Sequence, residues 1–274
     1  MMKEKIDFTG VEQTMLATLY LRAWESRSKD SILRDHVAAG VVDRIDYDFS
    51  KLMVRGGAAN RFMLALRAKQ LDDWTADLLR RHPDAVVLHL GCGLDSRAFR
   101  LDLPVGVRWF DVDLPDVIDL RRKLYPEPDG YRTVGSSVTE TRWLDEIPPE
   151  YPVLIIAEGL PMYLTENENK RLLQQCADRF SSGELLFDGF APWVVRLTQR
   201  MSKRLARKGY PSYSSAIRDR REIERWNPRF RYLEDVPFPS LYAKIPVRVY
   251  RVTYRLMNMI PASRDFYRMF RFGF

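Results

Sequence analysis

Gly91, Gly93, Asp113 and Glu158 are the residues whose types and spacing could do chemistry in this chain. The two glycines stand in Leu90-Gly-Cys-Gly-Leu-Asp-Ser-Arg97, directly after the apolar run Val86-Val-Leu-His-Leu90. A glycine pair after a buried strand lets the backbone approach a ligand that a side chain would hold away. Asp113 ends Trp109-Phe-Asp-Val-Asp113, about 20 residues further on, where a carboxylate that takes a ribose hydroxyl belongs. Both anchors fit a nucleoside. The phosphate side does not fit a dinucleotide, because Ser96 stands where a third glycine would be and Asp95 brings a negative charge into the turn. A pyrophosphate would be repelled there. A nucleoside joined to a cationic or zwitterionic group is tolerated, and S-adenosylmethionine is such a ligand. Glu158 follows Pro152-Val-Leu-Ile-Ile-Ala157, so it sits at the carboxyl end of a strand, where open α/β sheets bind ligands.

Three stretches carry a resemblance: Leu90-Gly-Cys-Gly-Leu-Asp-Ser-Arg97, Trp109-Phe-Asp-Val-Asp-Leu-Pro115 and Ala157-Glu-Gly-Leu-Pro-Met-Tyr-Leu164. Together and in this order they resemble the leucine carboxyl methyltransferase family, and within it the bacterial polyketide O-methyltransferases of the tetracenomycin type. The likeness runs from about Thr14 to about Trp193 and fades beyond. It implies a class I methyltransferase fold, with a Rossmann-like, mostly parallel α/β sheet, one C-terminal antiparallel strand and a helical lid. It implies S-adenosylmethionine as cofactor, cations at Lys29 and Arg67 on its carboxylate, and Glu158 against it. Arg67 is the better match, since it precedes an Asp-Asp pair as in relatives; the residues alone suggest instead a surface arginine paired with Asp72 or Asp73. Relatives often carry Asp-Leu where this chain has Ser137-Val138. A serine hydroxyl can accept the adenine amino group, more weakly than a carboxylate.

The elements that must position these residues follow from apolar spacing. A helix is expected over Val11–Trp24, with Met15, Leu16, Leu19 and Tyr20 at helical spacing, and a second from Ser31 through Ala38-Ala39, both acting as lid. Gly56-Gly-Ala-Ala59 is expected to make a corner, and Phe62 to Leu79 a helix stopped at His82-Pro83. Val117–Tyr125 reads as a helix and Tyr131–Val134 as a strand. Thr165-Glu-Asn-Glu168 has the pattern of a capping box opening a helix through Leu172, Leu173 and Cys176. Gly183–Asp188 reads as a further strand. Ala191–Trp226 is expected to be helical, broken at Gly209-Tyr-Pro-Ser, and to close the substrate pocket. Phe230–Leu233 reads as a strand, Ile245–Met259 as a helix and Asp265–Phe274 as a closing strand, the last two strands pairing at the sheet edge. One domain over 1–274 is expected: lid helices 1–60, cofactor-binding core 61–190, cap 191–228 and closing elements 229–274.

Composition narrows the function classes. The 274 residues are 46% hydrophobic, enough for one sizeable core. The charged N-terminal stretch and the lack of a long apolar run lead to the expectation of a cytoplasmic protein with no integral membrane association. Cys92 and Cys176 suggest packing residues, with neither a disulfide framework nor a metal site. The formal charge of +7 is uneven: 196–274 holds 19 Lys and Arg against 6 Asp and Glu, net +13, leaving −6 before it. Tyr210, Tyr213, Trp226, Phe230 and Tyr232 interleave this basic stretch, but it lacks an RNA-binding signature, so no nucleic acid is expected.

Methyl transfer to oxygen depends chiefly on positioning and asks for no metal. A phenol wants a general base, whereas a carboxylate is already ionised and wants a cation to place it. The bases are few. His36 could face the pocket from the lid, His82 ends a helix, His89 sits within a strand, and Tyr20 and Tyr163 could wall the pocket. This scarcity and the basic cap favour an acidic or aromatic small-molecule acceptor, a carboxylated or phenolic polyketide-like intermediate. Methylation of a protein C-terminal carboxylate is the alternative enzyme reading. A non-catalytic protein that binds polyanions or membrane surfaces on this fold is the reading from another class, and a nicotinamide-dependent reductase is disfavoured by Asp95 and Ser96. Oligomeric state stays open.

Overall fold

A computed structural model describes residues 4–5, 12–140, 142–202 and 212–274. Val11 and residues 209–211, invoked above for a helix start and a break, lie outside them. In chain order the regular elements begin with β1 (Glu4–Lys5), α1 (Glu12–Ser26), α2 (His36–Asp43), β2 (Ile45–Asp46) and α3 (Ser50–Arg81). Next come β3 (Val86–Leu90), α4 (Arg97–Arg100), β4 (Arg108–Asp113), α5 (Pro115–Leu124), β5 (Tyr131–Gly135), β6 (Val153–Ala157) and α6 (Glu166–Arg179). The chain continues through β7 (Gly183–Phe190), α7 (Pro192–Arg200), α8 (Glu222–Trp226), β8 (Arg231–Pro237), α9 (Arg248–Met259), α10 (Pro261–Arg264) and β9 (Tyr267–Gly273).

Seven strands form one sheet in the order β5-β4-β3-β6-β7-β9-β8, and β1 pairs with β2 apart from it. The pairs from β5 to β7 are parallel, and β9 runs antiparallel to both its neighbours. The central strands are apolar throughout because both faces are covered. Val86, Leu88, Val112 and Ile155 pack beneath Leu172 and Cys176 of α6. Val87, Trp109, Leu154 and Ile156 face Leu66, Leu71, Trp74 and Leu78 of α3. A third core joins Met15, Leu16 and Leu19 of α1 to Val41 of α2, Leu94, and Val117 and Leu120 of α5.

Local chemistry sets the ends. Thr165 accepts from the Glu168 amide while Glu168 accepts from the Thr165 amide, so the capping box forms at α6. His82, with φ −134° and ψ 79° outside the helical region before Pro83, ends α3. Three expectations shift. Gly56–Ala59 makes no corner and lies within α3; two glycines cost a helix about 1 kcal/mol each against alanine, and a 32-residue helix packed along the sheet can carry that cost. The second helix starts at His36, not Ser31, because the Asp35 carboxylate accepts from the Ala38 amide at 2.9 Å and fixes the first turn. At the C-terminus β8 and β9 pair at the sheet edge as expected, with β9 inserted between β8 and β7, while the helix expected from Ile245 begins at Arg248.

Candidate active site

The glycine turn takes a shape that other residues resist. Gly91 has φ +61° and Gly93 φ +50°, values that L side chains rarely adopt. A Cβ at Gly93 would lie 3.2 Å from the Cβ of Met15, and one at Gly91 3.0 Å from Leu160. The Gly93 amide donates to Asp113 Oδ2 at 2.7 Å, and the Leu114 amide to Oδ1 at 2.8 Å. The strand-end carboxylate therefore ties the turn to the start of α5, and burial pushes its pKa up against these two amides. The Ser136 amide donates to the Asp113 carbonyl at 2.8 Å, which brings Ser137 beside it. Gly91, Asp113, Ser137 and Glu158 thus stand at or just beyond the carboxyl ends of β3, β4, β5 and β6, around the crevice where strand order reverses between β3 and β6.

A buried charge cluster occupies this crevice. Arg67 reaches over from α3, and its Nε and Nη2 both bond Glu158 Oε1, at 2.9 and 2.8 Å. Its Nη1 donates to the Tyr267 hydroxyl at 2.9 Å and lies 3.5 Å from Asp188. Arg67 is therefore no surface arginine, and its partners are not the adjacent acids: Asp72 pairs with Arg97 and Arg100, Asp73 with Lys69. Arg97 holds the other oxygen of Glu158. Asp95, taken above as a charge that would repel phosphate, is ringed by Arg22 at 3.1 Å, Arg97 at 3.4 Å and Arg100 at 2.5 Å. Its charge is neutralised locally, so it argues less strongly against a dinucleotide than the sequence suggested. Burial would push Glu158 up, yet Arg67 and Arg97 hold it down to about 2. Burial pushes Asp188 up in spite of Arg67.

One cleft of about 280 Å³ joins these groups to an aromatic wall. Gly91, Gly93, Arg67, Glu158, Arg22 and His89 line one part, and Tyr163, Phe190, Tyr213 and Tyr267 another. Tyr213 stacks on Phe190 with centroids 4.8 Å apart and meets Tyr163 edge-on at 5.7 Å. Burial raises the Tyr163 phenol, so near neutral pH it carries its proton. His89 is buried, with Nδ1 3.0 Å from Asp111 Oδ1.

The remaining sequence candidates lie elsewhere. Lys29 is exposed in the turn after α1, and His36 is exposed at the first position of α2; neither lines the cleft. The lid expectation for His36 placed it towards the pocket, but the cap at Asp35 turns it outward. Tyr20 stacks on Phe49 at 5.0 Å within the lid core, away from the lining residues. Ser137 bonds Thr139 Oγ1 at 2.8 Å and Val138 is buried in the core; with Asp113 they stand beyond the cleft's lining. Arg22, Asp188, Tyr213 and Tyr267 were missed. Arg22 had a signal, since it continues the buried series Met15, Leu19 at helical spacing. Asp188 and Tyr267 meet only across two strands far apart in sequence.

Setting the one reversed strand β9 beside β7 in an otherwise parallel sheet, with a glycine turn opening on the β3/β6 crevice, defines a class I methyltransferase, a class whose methyl donor is S-adenosylmethionine. The chain belongs to the leucine carboxyl methyltransferase family, which matches residues 15–177. It is 41% identical over 276 residues to the tetracenomycin polyketide synthesis O-methyltransferase TcmP of Streptomyces glaucescens, covering 100% of both chains. The likeness thus extends through the C-terminal segment where the motifs fade. An S-adenosyl-L-methionine-dependent methyltransferase of Gibberella zeae, dpfgK, is 33% identical over 89% of this chain and 87% of its own. A crystal structure from Thermobifida fusca, described as that of a candidate methyltransferase, shares the fold with TM-score 0.62 at 15% identity, covering 96% of this chain and 94% of that one.

Proposed function

We propose that this chain is an S-adenosylmethionine-dependent O-methyltransferase acting on a small carboxylated or phenolic, polyketide-like acceptor by direct in-line transfer. The observation that carries this reading is the cleft in which the glycine turn and Arg67–Glu158 face an aromatic wall. The name of TcmP supports the substrate class. The residues fit the cofactor: the turn is open where a Cβ at Gly93 would press on Met15, and carboxylates and guanidiniums suit a zwitterionic methionyl group. Asp113 would take the ribose, Ser137 and Val138 the adenine, Arg67 and Glu158 the methionyl end; Lys29, exposed and outside the cleft, would have to move to contribute.

When bound, the cofactor supplies an electrophilic methyl on a sulfonium, whose positive charge is lost as the methyl moves. Glu158, ionised at neutral pH, offsets positive charge beside the turn. Tyr163, Phe190 and Tyr213 offer flat faces to an aromatic acceptor and exclude water. The protonated Tyr163 can donate a hydrogen bond to an acceptor oxygen but cannot serve as its base near neutral pH. A carboxylate acceptor needs no proton removed, which suits this wall better than a phenol. Titration calorimetry with S-adenosylmethionine, then transfer of a labelled methyl to matched aromatic carboxylic acids and phenols, tests the reading. Micromolar cofactor binding and ester formation are expected; no binding, or methyl transfer to neither acceptor, overturns it.

A further inference from the structure

Helix α9 carries Val249, Val252, Leu256, Met259 and, just past its end, Ile260, each between 47% and 71% exposed. At about 100° per residue these side chains fall within one arc of about 100°, a single helix face. That face is not the one packed on the protein. Tyr250 meets Phe62 of α3 at 5.3 Å and Tyr254 meets Phe238 at 4.9 Å, both from the other side of the helix. Arg248, Arg251 and Arg255, all exposed, form the row that adjoins the apolar face. None of the three pairs with a carboxylate among the described residues, and Arg251 donates to the Ile245 and Pro246 carbonyls. Helix α7 repeats the arrangement: Trp193, Leu197 and Met201 stand exposed at intervals of four, with Arg196 and Arg200 beside them. Neither helix contains an Asp or Glu.

Both helices reach one end of the sheet. The Ala191 amide, just before α7, donates to the Phe266 carbonyl at 2.9 Å, and Phe266 packs edge-on against Phe238, the ring that meets Tyr254 of α9. Phe190 and Tyr267, from the aromatic wall of the cleft, pair at that same end. We infer that α9, together with α7, docks this protein on an anionic lipid surface. An apolar stripe with arginines along it and no acid suits the bilayer boundary, where the stripe enters the acyl region and guanidiniums meet headgroup phosphates. A partner protein would need a groove to receive these protruding side chains, whereas a bilayer takes a convex ridge whole. A second copy docked through the same face about a twofold axis would set rows of like charge together. The docking goes beyond the proposed reaction and does not depend on it.

The test is co-sedimentation of the full chain with vesicles of phosphatidylcholine containing about a quarter phosphatidylglycerol, and with vesicles of phosphatidylcholine alone. Binding to the anionic vesicles only is expected, weakening as salt rises towards about 1 M, where charges are screened beyond about 3 Å. Arg248→Gln with Arg255→Gln should lower it roughly 10- to 30-fold, about fivefold per arginine. Leu256→Gln with Met259→Gln should lower it roughly tenfold or more, by removing apolar area that the bilayer buries. All four residues are exposed, so melting temperatures are expected to stay at the wild-type value; if one pair lowers the melt, the other carries the test. No binding to anionic vesicles overturns the inference, as does binding that neither pair changes. Equal binding to both vesicles removes the arginines from the interaction and overturns the anionic surface. Capture of an acidic amphipathic peptide in place of vesicles, lost in both variants, assigns the face to a protein partner. A concentration-dependent dimer broken by Leu256→Gln with Met259→Gln assigns it to a second copy. Either of these overturns the inference.

Discussion

Gly93 and Asp113 show how closely single residues constrain this site. A side chain at Gly93 must accept φ +50° and crowd Met15, costs that for a β-branched residue come on top of the ~1–2 kcal/mol of the left-handed conformation. Gly93→Val is therefore expected to lose cofactor binding at least tenfold. Asp113→Ala removes the acceptor of both the Gly93 and Leu114 amides and should lose binding to a similar degree. Calorimetry on both variants checks this, with thermal melts to show that the chain still folds; unchanged affinity in either would place the ribose elsewhere. The glycines and the strand-end acid were legible in the sequence because their roles are local, set by backbone shape and by position at a strand end. Lys29 and His36 stand exposed outside the cleft for the same reason reversed: only the path of the lid decides which way they face.

At the scale of elements, α6 carries the cleanest sequence signal, a reciprocal cap whose two hydrogen bonds join Thr165 and Glu168. Thr165→Ala should cost ~0.5–2 kcal/mol of stability, read as a lower midpoint in urea with an unchanged slope; a shift within error would mean that packing of Leu172 and Cys176 alone holds the helix start. Helix α3 was legible from Phe62 onward because apolar spacing repeats along its buried face. Its extension back to Ser50 was not, since glycine lowers helix propensity locally. The placement of β9 inside the sheet was equally hidden, because alternation shows that a strand exists and not which neighbours it takes.

Across the whole molecule, the basic C-terminal segment and the acidic remainder meet. Arg271 bridges Glu184 and Asp77, and Arg218 reaches Glu166. Part of the +13 therefore closes the fold onto earlier acids, which weakens the polyanion-binding reading. The buried carboxylates set the pH response. Glu158 is held at about 2, below the usual carboxylate range, as Asp95 is held low, against its burial, by Arg100, Arg22 and Arg97. A depressed folded-state pKa gives stability that is present above the unfolded value and lost as pH falls through the folded one. Stability should therefore decline from about pH 4.5 towards pH 2, and Glu158→Gln should flatten that decline while lowering stability at pH 7. Urea midpoints across this range check it; an unchanged slope in Glu158→Gln would exclude this carboxylate as a source.

The sequence by itself determined the strands, the glycine turn, the strand-end acids, the capping box and hence the class of fold, because each depends on backbone conformation or on apolar period over a few residues. Tertiary structure alone decided which charges meet: that Arg67 turns inward to Glu158 and Tyr267, that Asp95 is a hub for three arginines and that Tyr213 walls the cleft. The physical reason is range. A buried ion pair is fixed by the distance between side chains from remote elements, and nothing in the local sequence around Arg22, Asp188 or Tyr267 encodes that distance.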